Sequence, residues 1–411
     1  MERVKQLATQ LYGPSSGRAA LERKCLDDVV ITMSIRSPLC KAKKGGFRDA
    51  RTDELLLEMY KQSIACSGVD PSLVGDICVG TVLTPEAMYV ARAAAIAAGF
   101  PETVPVQVVN RFCSSGLMAI TTIGNQIRSG QIEIGLAIGV ENMSENPDKG
   151  GPSQSELISI NPAAKDCKER MGWTSENVAS DFNITREEQD DYAATSFQRA
   201  ENAQNAGYFA SEIVPFTVFQ KDPLTGERKL IVVNADDGIR AGTTKDSLAK
   251  IKPAFPQWGN STTTGGNASQ ITDGAAAVLL MTRKKAEELN LKIYAKYHTT
   301  ALAGVPPRIM GVGPVYAIYQ VLKDCNITLH DVDLFEINEA FASQCVYTIK
   351  KLGLPREKVN VNGGAIAFGH PLDEFLSSLR WNVLVNTLPL ILVTSMCIGT
   401  GMGAAGVFVR D

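Results

Sequence analysis

The 411-residue sequence predicts an α/β protein made of two related halves around a middle insertion. Three observations carry this. Strand-like and helix-like runs alternate along the chain, the pattern of a mostly parallel sheet covered by helices. The stretch from about 145 to 270 breaks the alternation and is richer in Asn, Asp, Gln and Ser. Beyond about 271 the first pattern returns. DVDLFEINEAFA there resembles the earlier VGDICVGTV, and VTSMCIGTG resembles GLAIGVENM.

The elements follow in order. Residues 1–26 are basic, acid-poor between Arg3 and Leu21, and read as a targeting tail before a fold that begins near Asp27. VVITMSI (Val29–Ile35) is a β-branched strand. TDELLLEMYKQSIACSG is a helix, with Thr52 as its cap and Gly68 as its stop. GDICVGTVL is the next strand and VARAAAIAAG the next helix. The run VPVQVV (Val104–Val109) reads as a buried strand. After it Leu117, Ile120, Ile123 and Ile127 recur at helical spacing. IGLAIGVENMS (Ile134–Ser144) closes the first half. Within the insertion, TREEQDDYAATSFQRAENA starts with Thr185 and Glu188 in a capping-box arrangement. DGAAAVLLMT is strand-like and VGPVYAIYQVLKDCNI is a helix. The division is therefore 27–144 with 271–291 as the first half, 145–270 as the insertion and 292–411 as the second half.

Composition narrows the function. The 41 basic and 44 acidic residues nearly balance, which argues against a protein dominated by nucleic-acid phosphate contacts. Nine scattered cysteines without a CxxC pair, and only three histidines, argue against a structural zinc site or a disulfide framework. A reduced compartment follows. No apolar run reaches the roughly 18–20 residues of a membrane span.

Four segments hold chemistry-bearing residues. Cys113 sits where a strand becomes a helix. A helix N-terminus favours a thiolate there, although the position also suits an ordinary buried cysteine. His370 ends NGGAIAFGHP, where a neutral imidazole could take a thiol proton or simply occupy a loop. Cys397 in MCIGTGMG precedes alternating glycines whose N–H groups can line an oxyanion site, or merely form a tight turn. Asn338 and Glu339 stand at a strand-to-helix switch, where an Asn can also serve as a helix cap.

Together, NRFCSSG, NEAFA, NGGAIAFGHP and CIGTGMG, in that order, resemble the thiolases. GGNASQITDGAAAV, MGWTSENVA and GIRAGTTKDSLAKIKPAF resemble further thiolase segments. The likeness covers about residues 27–372 and 393–409, and is greatest to the 3-ketoacyl-CoA thiolases of peroxisomes. It implies two similar βαβαβαββ halves packed face to face, with an inserted loop subdomain that binds CoA. It implies that His370 activates Cys113, that Cys113 becomes acylated, and that Cys397 is the second acid/base. Asn338 would position a water, and Gly399 would donate to the acyl oxygen. Arg240 and Ser269 match positions that touch CoA, although Arg240 also reads as a solvated loop arginine. CoA is then a substrate, no metal or other cofactor is implied, and a homodimer is expected. Arg3-Val4, five residues, then Gln10-Leu11 fits a peroxisomal N-terminal signal for an import receptor, with a mitochondrial presequence as the competing reading.

The chain departs from the family after GHP. LDEFLSSLRWNVLVNTLPLIL replaces the usual Gly-rich turn and Ala-Arg helix start, so a helix there would begin near Asp373. Phe112 stands where many relatives carry a polar residue, with an expected effect on acyl-pocket shape. Three functions remain in view: a degradative thiolase of fatty-acid β-oxidation, a biosynthetic-type acetoacetyl-CoA thiolase, and an impaired acyl-CoA-binding homologue crippled by residues 373–392.

Overall fold

A computed structural model describes residues 17–370 and 390–411. The expected helix start at Asp373 and the signal residues Arg3, Val4, Gln10 and Leu11 lie outside the described residues.

The first half contributes β1 (Val29–Arg36), β2 (Cys40–Lys41), α2 (Thr52–Ser67), β3 (Asp76–Gly80), α3 (Ala87–Ala98), β4 (Val106–Val109), α4 (Ser115–Arg128), β5 (Ile134–Asn142) and β8 (Thr272–Thr282). It is preceded by a short helix α1 (Arg18–Glu22). The second half contributes β9 (Ala295–Gly304), α7 (Gly313–Cys325), β10 (Leu334–Ile337), α8 (Ala342–Leu352), β11 (Ile391–Ile398) and β12 (Met402–Arg410). The insertion adds α5 (Met171–Asp181), α6 (Arg186–Asn205) and a hairpin of β6 (Phe216–Lys221) and β7 (Arg228–Val233).

Strand order in the first half is β1-β8-β5-β3-β4 and in the second β9-β12-β11-β10, so the two halves repeat one topology. Val359, bridged in parallel to Phe335 beside β10, takes the place that β4 holds in the first half. The halves join through β1 and β9, where Val30 pairs with Lys296 and Ile31 with Ala295.

The sheet is mixed, which corrects the mostly parallel reading. β3 is parallel to β4 and β5, and β10 to β11. β8 runs antiparallel to β1 and β5, and β12 antiparallel to β9 and β11. Parallel neighbours need a crossover of a dozen residues or more, which α3 and α4 supply. β12 instead returns from β11 through the tight turn at 399–401, and β8 enters from the insertion.

Packing follows from the apolar faces. Leu117, Ile120, Ile123 and Ile127 of α4 are all buried, in one cluster with Tyr297, Leu392, Met396 and Phe408 of the second half. Helix α4 is therefore a central layer between the strands of the first half and those of the second. Gly80 makes its close approach possible: a Cβ there would lie 2.5 Å from the Ser115 carbonyl. On the outer faces, Leu55, Met59, Ala91 and Ala95 of α2 and α3 cover the first half. Val315, Ile318 and Val346 of α7 and α8 cover the second, together with Val178 of α5 and Phe197 of α6. The insertion is tied to β1 by Arg36, which is buried and donates to Glu212 at 2.7 Å and to both oxygens of Asp236 at 2.7 and 2.8 Å.

Three local expectations change. The fold begins before Asp27: Leu21 of α1 is buried in the second-half core, and Arg18 pairs with Asp333 at 3.0 Å. Thr52 is the first helical residue of α2 and Arg51 is the cap, because the Thr52 hydroxyl is engaged at 2.8 Å with Glu145. β4 is the last strand of its sheet, so Gln107, Val108 and Val109 are only half-buried. The capping box at Thr185 and Glu188 is formed, and Gly68 ends α2 with φ 65°.

Candidate active site

The candidate residues collect at the C-terminal ends of β4, β10 and β11, where loops from both halves meet. Cys113 lies between β4 and α4 and is buried at 7 % exposure. The turn that presents it is unusual. Phe112 has φ 45°, a left-handed conformation uncommon for a bulky residue. Asn110 Oδ1 accepts from the Phe112 N–H at 2.9 Å, and Ser115 Oγ donates to the Phe112 carbonyl at 2.7 Å. The side chains on either side thus hold the turn that aims the thiol.

Asn338 follows β10. It does not cap α8, whose N-cap is Phe341, because its side chain turns to His370 instead. Asn338 Nδ2 lies 3.2 Å from His370 Nε2. With the amide donating, the lone pair of the ring faces Asn338 and the ring proton sits on Nδ1. Burial pushes the His370 pKa down to about 4, so the imidazole is neutral at physiological pH and able to accept a proton.

Cys397 lies near the end of β11, fully buried. Its thiol donates to Gln344 Oε1 at 3.0 Å, and Gln344 Nε2 donates to the Asn338 carbonyl at 2.7 Å. His370, Asn338, Gln344 and Cys397 therefore form one continuous chain of contacts. Burial pushes the Cys397 thiol up to about 12. Cys397 is thus held as a protonated thiol whose conjugate base is strong.

The loop carrying His370 is fixed from behind. Glu339 is buried and accepts from Tyr192 Oη at 2.9 Å, Ser196 Oγ at 2.6 Å, Asn360 Nδ2 at 2.8 Å and the Ile366 N–H at 3.1 Å. A Cβ on Gly364 would fall 2.5 Å from the Glu339 carboxyl carbon, and a Cβ on Gly369, at φ 105°, would collide with Thr272 Oγ1. From the other side Gln270 Nε2 donates to the Ala367 carbonyl at 2.7 Å and the Gly238 carbonyl at 2.8 Å. Glu339→Ala would strand the Tyr192 and Ser196 hydroxyls and the Ile366 N–H, while Asn360 Nδ2 keeps the Ile337 carbonyl, so it is expected to lower unfolding free energy by at least about 3 kcal/mol. Denaturant titration against the parent protein measures this.

Gly399 stands two residues past Cys397, and the Phe112 ring would lie 3.5 Å from a Cβ placed on it. The Cys113 turn of one half therefore packs directly on the glycine turn of the other. Ser269 lies beside the Asn338 loop, its N–H donating to the Ala340 carbonyl at 3.0 Å. Arg240 is at the outer edge, exposed, donating to the Gly265 carbonyl at 3.2 Å with its guanidinium over the Phe197 ring. The structure gathers Cys113, Asn338, His370, Cys397, Gly399 and Ser269 into one region and leaves Arg240 on its surface rim. The contacts of Gln344, Gln270 and Glu339 are not visible from sequence motifs, although Gln344 falls within EINEAFASQ and Gln270 within GGNASQITDGAAAV.

Among the described residues no group of three or more His, Cys, Asp or Glu is placed to hold a metal ion, and no helix is long and apolar enough to cross a membrane. All nine cysteines are free thiols.

Comparison with known families decides the frame. Residues 29–284 match the thiolase N-terminal domain and residues 291–410 the thiolase C-terminal domain. The chain belongs to the thiolase family. Among thiolases it is 46% identical to the peroxisomal 3-ketoacyl-CoA thiolase A of Candida tropicalis, over all of both chains. It is 46% identical to the peroxisomal 3-ketoacyl-CoA thiolase of Homo sapiens, over 99% of each chain. The crystal structure of the dimeric peroxisomal thiolase of Saccharomyces cerevisiae superposes with a TM-score of 0.87 at 43% identity, covering 96% of this chain and 100% of that one. As a thiolase, the chain is an acyltransferase of two similar halves, and the repeated strand order described above is the fold expected of it.

Proposed function

We propose that this chain cleaves 3-ketoacyl-CoA with CoA, giving acetyl-CoA and an acyl-CoA two carbons shorter, in peroxisomal fatty-acid β-oxidation. One observation carries the site reading: a neutral histidine, an asparagine and a buried protonated cysteine are joined in one contact chain on a thiolase frame.

The steps follow from the groups. His370 takes the Cys113 proton, and the thiolate attacks the 3-keto carbon. The C2–C3 bond breaks, leaving the acyl group on Cys113 and an acetyl-CoA enolate. Cys397 gives its proton to C2 and acetyl-CoA leaves. The second CoA thiol returns a proton to the Cys397 thiolate and attacks the thioester. Cys113 leaves as thiolate and recovers its proton from His370. Burial that makes the Cys397 thiolate a strong base favours proton transfer from the CoA thiol, and the far more basic enolate carbon still draws the proton from Cys397. The Gly399 and Cys113 N–H groups serve the acyl oxygen, and Asn338 with His370 the enolate oxygen. Arg240 and Ser269 hold CoA, which is a substrate, and no metal or further cofactor is invoked.

The working form is a homodimer, as in the yeast relative, and Arg3, Val4, Gln10 and Leu11 address the chain to a peroxisomal import receptor rather than to the mitochondrial matrix. Neither an acetoacetyl-CoA thiolase nor an impaired homologue is favoured by the full-length likeness to 3-ketoacyl-CoA thiolases.

The test is turnover of a medium-chain 3-ketoacyl-CoA with CoA, followed by loss of the ketoacyl absorbance. Parallel double-reciprocal lines are expected, because the acyl-enzyme separates the two CoA visits. Tight CoA binding without turnover would overturn the reading, and preference for acetoacetyl-CoA would move it to the biosynthetic type. The acid side of kcat/KM provides a second check. His370 acts as the neutral base, which is present above its pKa and lost as pH falls through about 4. The acid limb from this group is expected near pH 4, and a His370-dependent limb near the ordinary histidine value of about 6.5 would contradict it.

A further inference from the structure

Glu141 is a buried carboxylate that the mechanism above does not use. It lies near the end of β5 with 0 % exposure, and no salt bridge to it is found among the described residues. Its cross-strand partner on β8 is Gly274; the next β8 residue, the buried acid Asp273, pairs with Asn142 and accepts from the Ser144 N–H at 2.8 Å. Burial, with the Asp273 charge adding to it, pushes Glu141 up to about 7. Leaving an uncompensated acid here is costly, so what the carboxylate holds matters.

Glu141 holds the loop that follows β3. Its Oε2 accepts from the Val82 N–H at 2.9 Å, and both oxygens accept from the Leu83 N–H at 3.3 Å. The Val82 carbonyl then accepts from Asn110 Nδ2 at 3.2 Å. Asn110 Oδ1 accepts from the Phe112 N–H at 2.9 Å, the residue in left-handed conformation next to Cys113. A continuous path of hydrogen bonds runs from the acid on β5, through the 82–83 loop and Asn110, to the turn that aims the nucleophile.

We propose that Glu141 is a positioning residue for Cys113, acting through Val82 and Asn110. Gln at 141 would keep the shape but present an NH2 group to backbone N–H donors. The loop would then shift, Asn110 would lose its acceptor, and the strained Phe112 turn would relax. A displacement of about 1 Å at the sulfur suffices for a loss on the order of 100-fold.

This inference rests on the thiolase reading, so its test has one readout that needs no turnover. Glu141→Gln and Asn110→Ala are compared with the parent by kcat, KM, Tm and the rate of Cys113 alkylation by iodoacetamide. Asn110 is exposed, so its variant keeps the fold even where Glu141→Gln does not. The expected result is a fall in kcat of at least about 10-fold with KM within about 2-fold, and slower alkylation, in both variants. The double variant should be no worse than the weaker single, because both changes cut one path. Alkylation and kcat unchanged in Asn110→Ala would overturn the proposal, as would additive losses in the double variant. A parent that alkylates normally but never turns over would instead count against the enzymatic reading.

Discussion

Cys113→Ala is expected to abolish thiolysis, with a loss in kcat of at least about 10⁴-fold. The thioester is the only place the acyl group can rest between the departure of acetyl-CoA and the arrival of CoA. Without sulfur there is neither an attack on the 3-keto carbon nor a store for the product. The substitution removes one buried sulfur at the edge of the α4 layer, so the fold should survive it at a cost of about 1–2 kcal/mol. Mass spectrometry of the parent incubated with 3-ketoacyl-CoA should show an acyl adduct on the peptide containing Cys113, and none in the variant. Residual turnover within tenfold of the parent would mean that another group is the nucleophile.

Cys397→Ala is expected to lower kcat by about 10²–10⁴-fold while leaving KM nearly unchanged. The thiol is fully buried and engaged with Gln344, so it contributes to proton transfer more than to holding CoA. Its loss leaves the enolate without a proton donor, and the C2–C3 bond re-forms before acetyl-CoA escapes. It also leaves the incoming CoA thiol without a base. Both half-reactions should therefore slow, which distinguishes this residue from one serving a single step. The direct measurement is deuterium uptake at the acetyl-CoA methyl group in heavy water. Parent protein should catalyse it and the variant should not. Undiminished exchange would remove Cys397 from the mechanism.

Much of this site could be read from the sequence because its parts are local. The strand-to-helix change at Cys113, the capping box at Thr185 and the apolar spacing of Leu117, Ile120, Ile123 and Ile127 are each written in fewer than twenty residues. The repeated strand order was foreshadowed by the likeness between the segments around β3 and β10. Strand direction was not legible, because alternation of strand and helix does not say that β8 and β12 return antiparallel. The role of Glu339 as a buried hub, and the contact made by Gln344, are not legible for a related reason. Their partners, such as Ser196 at 2.6 Å and Cys397 at 3.0 Å, are far away in the chain, and no short window contains both ends. Asn338 was open to a capping role until the helix was seen to begin at Ala342.

The four hydrogen bonds on Glu339 have a consequence for how ligands come and go. Two of them reach α6 of the insertion, while the carboxylate itself stands next to Asn338 and supports the loop that ends in His370. Scaffold and reacting groups are thereby riveted into one frame. Two CoA molecules must visit in each cycle, and α6 cannot part from the His370 loop during either visit without breaking those bonds.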